Sequence, residues 1–545
     1  MEVNRTSPSG ILPGMMARLA LIACLVLVPL FAADIGPTNR WKESTPEEQG
    51  VDSAPLAEAI DYIMQRRLPI HSLLVVRHGA IVLDAYFYPY EPTVPHDIAS
   101  VTKSVTSILT GIAIDKGYIK SAQQPVLQLL NTAPPASADP RRNRMTIENL
   151  LTMTSGMTCG AINAAHTAEP ELDEMRHSSD WIRYAVNIPM RAEPGSQFAY
   201  CSVNNHLLSA VISSKTGESL ESFARRNLFD AMGIRELLWP VDPNGLSHGW
   251  GDLHLYPRDM AKLGYLYLHD GKWDGRQLVS EEWVRTSMEP HASVRAGVGY
   301  GYSWWINVAR EPHIPEAEGR GGQRISIVPD KDAVVVFTSG GAHTDEVAPY
   351  ILRALRSDAP LAPNAAAFSH LTQSLRAARL APKPAPVPKL PDAAREISGR
   401  LYSFDPNALD LRTLSLVFDG KEEAHVAMSI GDEEWTGPVG LDGVYRFSPH
   451  GHRRLSMAVS GTWRNDREFL LDVNLFPNIT RILFAIRFVG ARAEVDASDT
   501  TGSFHDVHLS GVVHDRSQPC QQPSEVRRRA RAAHVGCSAG GGNRP

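Results

Sequence analysis

The sequence predicts an α/β body of the α+β kind, an antiparallel sheet flanked by helices with a helical insert, followed by a separate all-β barrel or sandwich. Three observations carry this reading. Hairpin-like β patterns stand at both ends of the stretch 50–360, with helical patterns between them. A Pro-rich stretch, ARLAPKPAPVPKLPDAA (378–394), then interrupts both. Beyond it the chain changes to short apolar alternations punctuated by Gly, Asp and Asn. With 545 residues, 43% of them hydrophobic, the chain is long enough to bury more than one core.

Residues 1–33 read as a signal peptide or N-terminal apolar segment. LALIACLVLVPLFAA (19–33) follows Arg18, contains a Pro and ends in Ala32-Ala33. It is short of the roughly 20 residues that cross a bilayer, and basic flank, apolar run and small residues together form an export signal. Met15-Met16-Ala17-Arg18 makes a tidier start for it than Met1. Leu21-Ile22-Ala23-Cys24 resembles a lipid-attachment box, but the apolar run continues well past Cys24. The expectation is export to a periplasmic or extracellular space, with anchoring by residues 19–33 if the segment is not cleaved.

The body, 34–360, opens with Asp52-Ser53 and Pro55 before a helix whose apolar face includes Leu56, Ile60 and Ile63. SLLVVRHGAIVLDAYFY (72–88) reads as two strands around Arg77-His78-Gly79-Ala80. ASVTKSVTSILTGIAIDKG (99–117) repeats Val105, Ile108, Leu109 and Ile112 at helical spacing and stops at Gly117. Helical patterns such as IENLLTM and NHLLSAVISSKTG fill the middle. ISIV, a Pro-Asp-Lys-Asp turn and AVVVFTSG then form a second hairpin, followed by the helix VAPYILRALRS. Residues 361–395 read as a linker, 396–515 as the all-β domain, and 516–545 as a disordered basic tail.

Charge and cysteines narrow the function. The net charge is −6, but the tail from Arg516 carries six Arg against one Glu, so the body is more acidic than the whole. An acidic body does not predict nucleic-acid binding. The five cysteines form no Cys-x-x-Cys, and the His residues show no paired ligand spacing, so neither a metal nor a cofactor is expected. Cys24 leaves with the signal, and Cys520 and Cys537 lie in the tail. In an oxidising compartment Cys159 and Cys201 are the disulfide candidate, two buried thiols being the alternative.

The chemistry centres on Ser100-Val101-Thr102-Lys103. Spacing of three places both side chains on one helix face. A Ser hydroxyl is a weak nucleophile until something takes its proton, and a buried Lys with a depressed pKa can do so. At the first helical turn the backbone N–H of Ser100 is also free to meet an oxyanion.

PHDIASVTKSVTSILTGIAIDKG resembles the nucleophile helix of serine β-lactamases, penicillin-binding proteins and their esterase and amidase relatives, including 6-aminohexanoate-oligomer hydrolases. Further segments match in order: MTIENLLTMTSGM (145–157), EPGSQFAYCSVNNHLLSAVISSKTG (193–217), GDLHLYPRDMAKLGYLYLHDGKWDG (251–275), YGYSWW (300–305) and EGRGGQRISIVPDKDAVVVFTSG (318–340). The resemblance covers about residues 50 to 360. It implies a β-lactamase/transpeptidase-like fold with Ser100 as acylated nucleophile, Lys103 as its proton acceptor and Tyr200 as proton relay. It also implies an oxyanion hole from the backbone N–H of Ser100 and one from the strand beginning near Arg320. A Tyr beside a Lys cation would have its phenolate favoured.

Two departures from the family pattern matter. Tyr-x-Asn becomes Tyr200-Cys201-Ser202, and Lys-Thr-Gly falls on Ala317-Glu318-Gly319. The candidate substrate-binding set is therefore Ser202, Gly319, Arg320, Gly321, Gly322 and Gln323. The missing Lys would have held a substrate carboxylate; Arg320 or Arg324 are its candidate replacements. Without that clamp, esters or amides, small-molecule or peptide-like, are expected over β-lactams. A β-lactamase or D-Ala-D-Ala carboxypeptidase is the alternative, and a non-hydrolytic penicillin-binding sensor a second one. No stable membrane insertion is expected after signal removal, and the β domain offers a surface for cell-wall contact.

Other features carry structural readings beside functional ones. Gly245-Leu246-Ser247-His248-Gly249 matches a nucleophile elbow, but loop sequence on both sides argues against it. Tyr300, Tyr302, Trp304 and Trp305 suit either an acyl pocket or strand core. Gln323 could brace a turn instead of touching substrate. Asp259 reads as a helix cap or ion-pair partner.

Overall fold

The computed structural model describes residues 37–132, 139–159, 169–341, 343–431, 433–448, 456–501, 504 and 506–513. The export segment 1–33 and the tail 516–545 lie outside the described residues. Among those described, no helix is long and apolar enough to cross a membrane.

The first sheet has nine strands drawn from both ends of the body. β1 (Lys42–Glu43), β2 (Ile70–Arg77) and β3 (Ala80–Tyr86) come from the N-terminal end. β4 (Ala292–Arg295), β5 (Val298–Tyr300), β6 (Trp305–Asn307) and β7 (Ile314–Gly319) follow the helical insert. β8 (Gln323–Val328) and β9 (Ala333–Ser339) form the second hairpin. The spatial order is β1-β3-β2-β9-β8-β7-β6-β5-β4, so the two hairpins pair with each other at the centre. Every pair is antiparallel except β1–β3. Both tight turns that the sequence suggests are present, His78-Gly79 and Asp332 adopting positive φ.

Burial explains why β2 reads as a continuous apolar run. All eight of its residues are buried because helices cover both sheet faces. On one face pack α1 (Ser53–Arg66), α5 (Ala348–Ala354) and α6 (Ala365–Arg379). On the other lie α2 (Val101–Asp115), α3 (Ser202–Thr216) and α4 (Pro257–Leu268), with the rest of the insert. Asp52 caps α1 by accepting from the backbone N–H of Ala54 at 3.0 Å.

The expected linker, 361–395, is corrected at its start. Its first half is helix α6, which lies along α1. Leu371 and Ala378 are buried there, and Ser374 donates to Asp61 at 2.7 Å. Only Pro-rich chain and a short helix, Asp392–Ile397, separate α6 from the second domain.

That second domain is a barrel. Its strands are β10 (Leu401–Phe404), β11 (Leu411–Val417), β12 (Glu423–Ile430), β13 (Glu433–Gly440), β14 (Arg446–Ser448), β15 (Met457–Trp463), β16 (Glu468–Asn474), β17 (Arg481–Val489), β18 (Arg492–Asp499) and β19 (Val507–Val513). Pairing of Gly440 on β13 with Ser460 on β15 closes nine strands and leaves β14 alongside. Alternation puts Phe469, Leu471, Val473, Phe484, Ile486 and Phe488 inside, so the interior is filled by side chains.

Leu371→Ala is expected to lower stability by about 2–4 kcal/mol, the cost of an empty leucine site. Urea unfolding measures it, and an unchanged midpoint would mean that α6 does not dock on α1.

Candidate active site

The nucleophile helix is aimed by a strained residue. Ala99, just before Ser100, has φ +45°, a conformation that costs a non-glycine residue roughly 1–3 kcal/mol. Asp97 offsets part of this by accepting the Ala99 N–H at 2.8 Å, and Ile98 donates to Leu253 O at 2.9 Å. Ser100 is thereby left as the N-cap of α2, its Oγ not used for capping. Instead Lys103 Nζ donates to Ser100 Oγ at 2.7 Å and to Trp250 O at 3.0 Å.

Lys103 is 1% exposed. Burial pulls its pKa from 10.5 down to about 8, while Glu169 and Asp252 nearby oppose the shift. At neutral to mildly alkaline pH a useful fraction is a neutral amine able to take the Ser100 proton.

Tyr200 completes the group. It stands just before α3, with Lys103 Nζ 4.9 Å from its ring centroid, and it hydrogen-bonds Ser100. The expectation of a favoured phenolate is corrected here. Burial, then Tyr300 and Glu169, hold the Tyr200 phenol well above its ordinary range. At rest Tyr200 is therefore a neutral phenol, while Lys103 is the group whose proton is readily lost.

The aromatics divide at the turn between β5 and β6. Tyr300 and Trp305, directly paired across the two strands, pack on Tyr200, Trp305 stacking at 5.7 Å, whereas Tyr302 and Trp304 of the turn belong to the main core. The core reading holds for Tyr302 and Trp304.

The third-motif strand is β7. Gly319 passes so close to the nucleophile loop that a Cβ there would lie 2.6 Å from Ile98 O and 3.1 Å from Ala99 Cβ. This proximity brings the turn 319–323 to Ser100. Gly321 and Gly322 take positive φ within it, and Gly322 N donates to Gly319 O at 3.1 Å.

Gln323 takes the turn-bracing of its two readings. It is 1% exposed, donates to Arg320 O and Ser339 O, and accepts from Ser339 N. Its amide is spent on backbone and braces the turn. The candidate carboxylate clamps are corrected as well. The Arg320 guanidinium turns to Thr501 and Asp499 of the barrel. Arg324 pairs with Glu316, Glu318 and Asp345.

Ser202 and Glu169 form a pair that sequence reasoning missed. Ser202 donates to Glu169 through both its N–H (2.6 Å) and its Oγ (2.7 Å), so a carboxylate occupies the start of α3. Nothing local signals this: the partners are separated by 33 positions. The disulfide Cys159–Cys201 ties the preceding segment to the residue between Tyr200 and Ser202. On β7, Glu318 lies on the Trp305 side of the sheet, because Trp305 pairs with Glu316 two residues before it. Burial raises its pKa to about 7, with Arg324 opposing.

Ser247 is elsewhere. It is buried in a loop, where Glu221 N donates to its Oγ at 3.3 Å, and no strand–turn–helix elbow surrounds it. Asp259 pairs with Lys262 at 2.8 Å in α4. Among the described residues no group of His, Cys, Asp or Glu could hold a metal ion.

Fold and site together define a β-lactamase-fold hydrolase. A family model described as Beta-lactamase matches residues 56–359, and the chain belongs to that family. Among curated proteins, 6-aminohexanoate-dimer hydrolase of Paenarthrobacter ureafaciens is 24% identical over 333 residues, covering 56% of this chain and 82% of the relative. Among solved structures, EstCE1, a hydrolase with promiscuous acyltransferase activity, aligns with TM-score 0.46 at 18% identity, over 56% of this chain and 99% of that one. The octameric penicillin-binding protein homologue from Pyrococcus abyssi aligns with TM-score 0.45 at 17% identity, over 84% of this chain and 99% of that one.

If neutral Lys103 is the base, kcat/KM for a neutral ester rises with pH through about 8. Glu169 favours the lysine cation, so Glu169→Gln is expected to move that limb to lower pH. A limb that stays in place would remove Glu169 from the electrostatics of the site.

Proposed function

We propose that the chain is an exported serine hydrolase acting on carboxylic esters or amides through an acyl-Ser100 intermediate. The observation that carries this is the 2.7 Å contact between Lys103 Nζ and Ser100 Oγ inside a site where the amine is buried. Ser100 Oγ attacks the carbonyl carbon as its proton passes to Lys103. The oxyanion is held by the backbone N–H groups of Ser100 and Arg320. The proton then moves through Tyr200 to the leaving oxygen or nitrogen, which departs as alcohol or amine. Water attacks the acyl-enzyme by the reverse proton route, releasing the acid and restoring Ser100.

The cleft's charge favours esters and amides over β-lactams. Where the family has its Lys this chain has Ala317, and its second motif brings the carboxylate of Glu169. That carboxylate repels a substrate anion. The curated relative, whose name gives 6-aminohexanoate dimer as its substrate, supports the same direction. Export is supported by the apolar run 19–33 and by the disulfide, a bond of oxidising compartments.

Short-chain p-nitrophenyl esters and a chromogenic cephalosporin test the proposal. Ser100→Ala is expected to lose ester turnover by more than about 10³-fold, with Ser247→Ala within about threefold of the parent. An acyl adduct on Ser100 should be trapped by mass spectrometry. Activity that survives Ser100→Ala and dies with Ser247→Ala would reject the proposal. An adduct that forms but does not turn over would favour the sensor alternative.

A further inference from the structure

The barrel reaches the catalytic domain at the two places that frame the proposed oxyanion hole. The first is the turn after β7. There Arg320 donates to Thr501 Oγ1 and lies 3.8 Å from the carboxylate of Asp499. Asp499 is 2% exposed and also accepts from Thr501, through its hydroxyl and through its N–H at 3.2 Å. Next to this, Thr500 Oγ1 donates to Gly340 O at 2.9 Å, and Gly341 N donates to Gly321 O at 2.9 Å. A Cβ on Gly341 would lie 2.3 Å from Thr500 O, so glycine is what lets the barrel backbone come this close.

The second place is the nucleophile loop. Asp97, which restrains Ala99, donates its own N–H to Pro477 O of the barrel at 3.4 Å. Tyr90, seven positions earlier, donates to Asn474 at 3.2 Å and packs on Phe476 at 5.1 Å. The barrel thus holds both segments whose backbone N–H groups must converge on one oxygen.

The physical need is specific. The turn 319–323 contains three glycines, which have the most conformational freedom to lose. Gln323 fixes it from the sheet side, and Arg320 is its one long side chain reaching the opposite way. The Thr501 hydroxyl links the guanidinium to the buried carboxylate, accepting from Arg320 and donating to Asp499, and charge at both ends strengthens the two hydrogen bonds.

We propose that the barrel is a working part of the active site, with Asp499 and Thr501 as positioning residues that hold the oxyanion turn through Arg320. The catalytic consequence rests on the hydrolase reading above; the mechanical one does not. Two readouts on the full chain separate them.

The first is hydrogen–deuterium exchange of the peptide spanning 314–326 in Thr501→Val and Asp499→Asn. It should speed up about tenfold or more, while peptides inside the barrel and the melting temperature stay as in the parent. The second is ester hydrolysis. In both variants kcat should fall about tenfold or more with KM within about twofold, since misplacing an oxyanion donor harms the transition state more than ground-state binding. Thr501→Ser, which keeps the hydroxyl, should restore both readouts. Arg320→Gln combined with Thr501→Val should be no worse than either alone. Unchanged exchange over 314–326 in Thr501→Val would overturn the inference, whatever the substrate proves to be. If Asp499→Asn does not fold, Thr501→Val decides alone. Turnover that persists in Ser100→Ala would reject the hydrolase reading, and exchange would still decide the anchoring.

Discussion

The rest of the site depends on one buried amine. Lys103 must lie out of water to come within hydrogen-bonding reach of Ser100, and that burial is unfavourable for an ammonium group. Holding its pKa near 8 instead of 10.5 corresponds to roughly 3 kcal/mol against the charged form. Trp250 O and Ser100 Oγ supply its hydrogen bonds, and the Tyr200 ring covers it. α2, the loop before α4 and the start of α3 converge there because each contributes one of these partners.

The same burial orders the protonation states. Tyr200, packed among Tyr300 and Trp305, is pushed in the direction opposite to Lys103, so the pair separates into an acid and a base. Glu169 contributes to both shifts, raising Tyr200 and partly restoring Lys103. One carboxylate hydrogen-bonded to Ser202 therefore acts on the protonation of both Lys103 and Tyr200. Its charge opposes the electrostatic character that a third-motif Lys would give the cleft.

Geometry imposes a second constraint. The approach of Gly319 to Ile98 and Ala99 leaves no room for a side chain, and the strain at Ala99 is supported by Asp97. Such close contact requires rigid surroundings on every side. The sheet supplies one side through Gln323 and Ser339. The barrel supplies the other through residues 474–478 and 499–501. A closed barrel has no free edge strands and suits this role, since its end loops project from a fixed frame.

What could be read from the sequence was what is local. Ser100 and Lys103 share a helix face because they are three residues apart. The two hairpins announce themselves by apolar runs around turn residues, and the barrel by alternation. The site proper was legible only in part. α6 passed for linker because its apolar positions are sparse: Leu371 and Leu375 among Ala, Ser and Arg. Glu169, the diversion of Arg320 to the barrel and the raised pKa of Tyr200 all escaped it. Each is set by partners far along the chain, 181 positions in the case of Arg320 and Thr501. Charge, hydrogen-bond capacity and burial at those residues are properties of what packs around them. The amino-acid order therefore determined the Ser100–Lys103 pair and the secondary structure that presents the two residues. Tertiary packing alone decided their protonation states, the charge of the cleft and what holds the oxyanion turn, because those energies arise between segments that only the fold brings together.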